Sequence, residues 1–191
     1  MNPCSCWWTM TSFDRILQRW RIAHAAPFIR PGARVLDIGS ADGALFRHLG
    51  AKIGGGLGID PTLSGPVEVG AVPLVPGCFP KDMPPTEPFD AITMLAVLEH
   101  FPATQYAALA EGCARFLKTG GRLIITVPSP QVDHILKVLV SLGLVHGMSL
   151  EEHHGYDVEQ TLRVFAPPAF RLIRRRRFQL RLNNLFVFER V

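Results

Sequence analysis

Val35-Leu36-Asp37-Ile38-Gly39-Ser40-Ala41-Asp42-Gly43 is the stretch on which the reading of this chain turns. With Ala33 and Arg34 ahead of it, the run 33–38 is short, mostly apolar and suited to a buried strand. A glycine-containing turn spans 39–43, and the pattern over 44–49 is helical. Strand, tight turn and helix in that order are the first half of a βαβ unit. Gly39 lets the backbone approach a ligand with no Cβ in the way. The helix that follows is expected to offer free backbone N–H groups at its start. In an open parallel sheet, ligands bind outside the carboxyl ends of the strands, which is where this turn lies. One glycine turn is also, by itself, simply a tight turn.

Working outward, strands are expected at 56–59, weakly at 72–75, then at 89–95 and 121–127. A helix is expected over 103–117, stopped by Gly120-Gly121, and Pro84, Pro85 and Pro88 mark a loop. Beyond Pro130 a strongly apolar helix is expected over 132–142, ended by Gly143, with a short helix near 158–165. Two tail strands, 170–178 and 185–189, are expected to pair antiparallel through an Asn183-Asn184 turn. Toward the N-terminus, Phe13, Ile16, Leu17 and Trp20 recur at helical spacing from a Ser12 cap, and Pro27 with Pro31-Gly32 closes that helix. Residues 1–10 have no period and read as an arm carrying Trp7 and Trp8.

Strands that alternate with helices imply a three-layer α/β/α sheet, mostly parallel, with an antiparallel hairpin at its C-terminal edge. The 191 residues suit one domain. It divides into an arm and helix (1–32), a core built around the glycine turn (33–130), a lid or substrate region (131–168) and the terminal hairpin (169–191).

Composition narrows the function classes. Hydrophobic residues make up 48% and charged residues 19%, which excludes a disordered chain. The net charge of +4 is concentrated in Arg174-Arg175-Arg176-Arg177. That run reads as a charged edge strand that resists sheet-to-sheet pairing, with a nucleic-acid surface as the rival reading. Cys4, Cys6, Cys78 and Cys113 show no zinc-like spacing, so no metal site is expected and the compartment reads as reducing. No basic n-region precedes an apolar stretch, and the segment 135–145 contains Lys137 and is too short to cross a bilayer. The expected location is the cytoplasm.

Asp60 ends the second strand about twenty residues after Gly39, where an acid can accept from both hydroxyls of a ribose. An Asp before Pro is also common in plain turns. The segments VLDIGSADG, GIDP, FDAITMLAVLEHF and LKTGGRLIITVPSP, taken in order, resemble the successive motifs of class I S-adenosylmethionine-dependent methyltransferases. They are most similar to the small-molecule branch typified by quinone-biosynthesis enzymes. The resemblance covers residues 33–130, and the tail hairpin agrees with the family's reversed edge strand.

That resemblance implies S-adenosylmethionine as cofactor, a Rossmann-like fold and a small-molecule methyl acceptor. It places Asp37, Gly39, Ser40 and Gly43 on the turn facing the cofactor, the first two beside its methionine part. Asp60 would hold the ribose and Pro61 would shape the nucleoside side. Leu95 and Ala96 would approach the methionine end, with the family's frequent Glu-His pair, here Glu99-His100, just beyond. Cys78 stands where members often carry an acid near adenine; a thiol is a poor acceptor, so that contact comes from the backbone or is lost, with Phe79 to pack on the ring. Ala41 replaces the middle glycine of the usual Gly-x-Gly-x-Gly and would be strained at positive φ. A nicotinamide-binding protein would want Gly-x-Gly-x-x-Gly, which this turn lacks.

An oxygen or nitrogen acceptor can need a base, and His100, His153, His154 and Tyr156 are the candidates. Each is also an ordinary loop or structural residue on the alternative reading. Two other functions remain compatible with the sequence: a non-catalytic S-adenosylmethionine-binding protein and an RNA methyltransferase.

Overall fold

The computed structural model describes residues 12–129 and 156–191. Its centre is an eight-stranded sheet in the order β3-β4-β2-β1-β5-β6-β8-β7. The strands are β1 (Arg34–Ile38), β2 (Gly55–Asp60), β3 (Val67–Val69), β4 (Val72–Pro76), β5 (Phe89–Leu95), β6 (Leu117–Pro128), β7 (Phe170–Phe178) and β8 (Asn183–Arg190). The helices are α1 (Ser12–Ala25), α2 (Ala44–Leu49), α3 (Tyr106–Phe116) and α4 (Gln160–Val164).

Strands β4, β2, β1, β5 and β6 run parallel. β8 enters antiparallel beside β6, and β7 closes that edge antiparallel to β8. Alternate side chains divide the core into two layers. Val35, Ala91, Ile124, Leu185 and Val187 face α1 and α2 with Ile22, Leu45 and Phe46. Leu36, Ile59, Ile92, Met94, Ile125 and Phe186 face α3 with Leu109, Cys113 and Phe116. Both faces of β1 and β5 are therefore apolar, as parallel strands require.

The expected architecture is present, with three differences of detail. A short strand, β3, pairs antiparallel with β4 (Val67↔Leu74, Val69↔Val72). Three residues separated by one turn from β4 carry too little alternation to be read from sequence. Helix α3 stops at Phe116, where Leu117 is already extended and paired with Phe89, so β6 begins ahead of Gly120-Gly121. The terminal hairpin turns at 179–182, not at Asn183-Asn184. Gln179, Leu180 and Arg181 all take positive φ (51°, 54° and 70°). Asn183 and Asn184 are buried at the start of β8; Asn184 Nδ2 donates to Ser129 Oγ at 2.8 Å, and Asn183 Nδ2 donates to Gln179 Oε1. Amide nitrogens that donate inside the fold suit a buried strand end, and the left-handed turn goes to Gln179, Leu180 and Arg181 ahead of it.

Arg171 and Arg175 of the edge strand pair with Glu189 and Glu159. No helix among the described residues is long and apolar enough to cross a membrane. The helix expected at 132–142, the stretch holding His153 and His154, and Trp7 and Trp8 lie outside the described residues.

Candidate functional site

The chain passes from β1 to β2 on one side of the sheet and returns to β5 on the other, so strand order reverses between β1 and β5. Loops leaving these two strand tips diverge and leave a crevice between them. The turn after β1 forms one wall, with positive φ at Gly39 (75°), Ala41 (42°) and Gly43 (75°). The wall opposite begins at Ala96, also at positive φ (59°), just after β5. Ala41 and Ala96 carry a Cβ in a region that disfavours one, and strain of this kind concentrates at functional sites.

The β1 turn is tied to the tip of β2. Gly39 N–H donates to the Ile59 carbonyl at 2.9 Å and Ala41 N–H donates to Asp60 Oδ2 at 2.8 Å. The second Asp60 oxygen accepts from Thr62 N–H (2.8 Å) and Thr62 Oγ1–H (2.5 Å). Ser40 is wedged onto Gly58, where a side chain on residue 58 would collide with it. Its Oγ is buried without a hydrogen-bond partner among the described residues. The glycine turn and Asp60 are thus bonded to one another at neighbouring strand tips. Part of the free N–H set expected at the start of α2 is taken up locally: Ala44 N–H donates to Asp42 Oδ1. Ahead of the helix, Ser40 N–H also turns to Ile59 and Gly43 N–H donates to Ser40 O.

Two further carboxyls border the crevice. Asp37, buried on β1, accepts a 2.6 Å bond from Thr93 Oγ1 on β5. Burial, and then the charges of Asp60 and Asp42, push its carboxyl up to about 7 against the Thr93 bond. Glu99, in the 3-10 turn Leu98–His100, is pushed up to about 7 by burial, opposed by a backbone hydrogen bond and by Arg21 of α1. Burial also raises the hydroxyls of Tyr106 and Tyr156.

Other expected site residues have structural partners. A Cβ on Gly39 would overlap the Val97 side chain, so Val97 covers this glycine's open face. A Cβ on Gly43 would meet Val69 at 2.7 Å and Leu74 at 3.0 Å, which makes that glycine a packing site for β3 and β4. Phe79 is in the core, its ring 5.9 Å from that of Phe116. Cys78 is exposed, and its N–H donates to Asp82 Oδ2 at 2.8 Å. Asp82 thereby brings an acid to the loop where the expected acid is missing, four residues further on. Pro61 is exposed, Leu95 is half-buried, and His100 is exposed at the end of its turn. Tyr156 is half-buried and shares a 3.0 Å hydrogen bond with Thr161. Sequence reading singled out none of Thr93, Val97, Arg21 and Tyr106; the first two lie within the segment FDAITMLAVLEHF, but their contacts appear only on folding.

A family model described as a methyltransferase domain matches residues 10–166. The chain belongs to this family of S-adenosylmethionine-dependent methyltransferases. Among solved structures, the N-methyltransferase NodS from Bradyrhizobium japonicum WM9 is 17% identical, with 93% of this chain and 98% of that chain covered and a TM-score of 0.62. Magnesium protoporphyrin IX methyltransferase (ChlM) from Synechocystis PCC 6803, solved with bound S-adenosylhomocysteine, is 16% identical, with 97% and 90% covered and a TM-score of 0.65. CalO1, a methyltransferase in calicheamicin biosynthesis, is 17% identical, with 94% of this chain and 55% of that chain covered and a TM-score of 0.64. No curated protein matches the chain. These likenesses agree with the Rossmann-like fold; none singles out the quinone-biosynthesis branch.

The residues present suit the methyltransferases' cofactor. The β2 tip supplies a carboxylate bonded to the glycine turn, Val97 packs over Gly39, and the turn carries a buried Ser40 hydroxyl without a partner among the described residues.

Proposed function

We propose that this methyltransferase transfers the methyl group of S-adenosylmethionine to a small-molecule acceptor in the crevice between the tips of β1 and β5. The observation that carries the reading is the 2.8 Å bond from Ala41 N–H to Asp60, which joins the glycine turn and the sugar-binding acid into one wall. One structural neighbour is a magnesium protoporphyrin IX methyltransferase and another is a methyltransferase in calicheamicin biosynthesis, and both support an acceptor of small-molecule type.

When bound, the cofactor supplies a methyl on a positively charged sulfur, which leaves by in-line displacement. The protein's part is orientation and exclusion of water. Asp60 accepts from a ribose hydroxyl with the one lone pair its three present donors leave unused. Pro61 and the backbone around Cys78 border the nucleoside. Asp37, Gly39 and Ser40 hold the methionine part, with Leu95 and Ala96 at the reacting end.

Titration calorimetry with S-adenosylmethionine, followed by assay of S-adenosylhomocysteine formed on adding a small-molecule fraction of cell extract, tests the proposal. Tight binding and turnover that survives nuclease treatment are expected. Turnover that disappears with nuclease would transfer the function to RNA, and binding with no turnover in any fraction would leave a cofactor-binding protein.

A further inference from the structure

Glu99 lies two residues past Val97, the side chain that covers Gly39, in the short turn that leaves the tip of β5. Its Oε2 is shut off from solvent and has no hydrogen-bond partner among the described residues. Its charged and titratable neighbours come from three other parts of the chain: Arg21 on α1, Tyr106 at the start of α3 and Tyr156 ahead of α4. Tyr156 is itself held by Thr161. A carboxyl within the electrostatic reach of two phenols, with one solvent-shielded oxygen that has no partner among the described residues, is arranged for a hydrogen-bond donor that the fold does not supply there.

We propose that Glu99 binds the methyl acceptor and that the acceptor is a primary or secondary amine, whose ammonium proton Glu99 removes before methyl transfer. This rests on the methyl-transfer reading above and names its acceptor class.

The choice of amine over hydroxyl follows from charge. Moving a proton from an ammonium to a carboxylate turns two charged groups into two neutral ones. Burial favours that transfer from both sides, because it raises the acid and lowers the amine. Moving a proton from a phenol to a carboxylate only shifts a negative charge, so burial gives it no help. The raised carboxyl of Glu99 agrees with the first case, and Arg21 keeps it ionised enough to receive the proton. Both tyrosines are pushed upward and stay neutral, as hydrogen-bonding walls. In the step itself, an N–H bond of the ammonium breaks and its proton goes to Glu99 Oε2. The freed nitrogen lone pair forms the N–C bond to the methyl carbon while the C–S bond breaks, its electron pair staying on sulfur. The product leaves as a methylated ammonium, and Glu99 returns its proton to solvent.

The test uses the full chain, S-adenosylmethionine labelled in its methyl group, and two pools of matched carbon skeletons. One pool contains primary and secondary alkyl and arylalkyl amines; the other contains the corresponding alcohols and phenols. Label is expected in the amine pool. Glu99→Gln is expected to lower kcat by about 10²–10⁴-fold, to leave the calorimetric affinity for S-adenosylmethionine within about twofold, and to erase the acidic limb of the pH–rate profile near pH 7. Glu99→Asp, which keeps a carboxyl, is expected to recover part of the rate and shows that loss in Glu99→Gln is not misfolding. Label in the hydroxyl pool alone, label in neither pool while the cofactor binds, or Glu99→Gln at the wild-type rate overturns the proposal. Failure of the wild-type chain to bind S-adenosylmethionine is a separate result: it overturns the underlying reading, and this one with it.

Discussion

Asp60 and Glu99 stand on opposite walls of one crevice, and the fold treats them in opposite ways. Asp60 accepts three hydrogen bonds, all from residues within the β1 turn or two positions away in sequence. Glu99 has an oxygen with no partner among the described residues, and its electrostatic neighbours lie on α1, α3 and the approach to α4. The first wall is self-assembled: its acid organises the turn whether or not a ligand is present. The second leaves a carboxyl oxygen without a partner among the described residues. A site that takes one cofactor and varied acceptors is well served by that asymmetry, since an invariant ligand rewards preorganisation and a variable one needs unused polar capacity.

The comparison can be broken most decisively at Gly39. Gly39→Val puts a branched side chain at φ 75° and into Val97. Loss of more than about 3 kcal/mol of S-adenosylmethionine affinity is expected by calorimetry, from backbone strain and steric overlap together. Unchanged affinity would detach the turn from the cofactor.

The two walls share a pH signature, and this sharpens the contrast between Asp60 and its buried neighbours. Asp37 and Glu99 are both raised to about 7 in the folded protein, above the ordinary carboxyl range. Below about pH 3 both are protonated whether folded or unfolded, and stability from this source is complete. As pH rises toward 7 the unfolded chain ionises first, so stability is expected to fall by about 3 kcal/mol per group and then level off. Urea unfolding of wild type and Glu99→Gln between pH 4 and 8 measures this. The variant should lose the Glu99 share of the slope, and parallel curves would place Glu99 in contact with solvent.

Asp60→Ala tests the self-assembled wall from the other direction. Removing a charged acceptor is expected to weaken cofactor binding by about 1.5–3 kcal/mol, and to lower stability because Ala41 and Thr62 lose their partner. Weakening of stability alone, with affinity intact, would make Asp60 a purely structural acid. At the far edge of the sheet, Arg177→Ser on β7 is expected to change stability by no more than about 0.5 kcal/mol, read from thermal unfolding, since no ion pair among the described residues holds Arg177. A larger loss would mean that the arginine run does more than protect an edge.

Much of the sheet was legible because its cues are local. The run 33–38, the Gly39 turn and the α2 pattern at 44–49 lie within seventeen residues, and α2 falls where the pattern puts it. The same holds for β5 and β7, whose bounds agree with the sequence reading. The Asn183-Asn184 turn was misplaced because side-chain amides serve a turn and a buried strand end equally well. What separates the two is Ser129, more than fifty residues away in the chain. Phe79 shows the same limit: an aromatic beside a binding loop reads as a stacking surface until Phe116 arrives to cover it.

By itself, then, the sequence determined the strand–turn–helix order, the sheet's mostly parallel course and the acid at the β2 tip, because each is written in residues close enough to recur at a strand's or helix's own spacing. Only the tertiary structure decided which polar atoms end up without a partner. Satisfaction of a buried group depends on everything packed around it, and Arg21, Tyr106 and Tyr156 reach Glu99 from places that no local pattern connects.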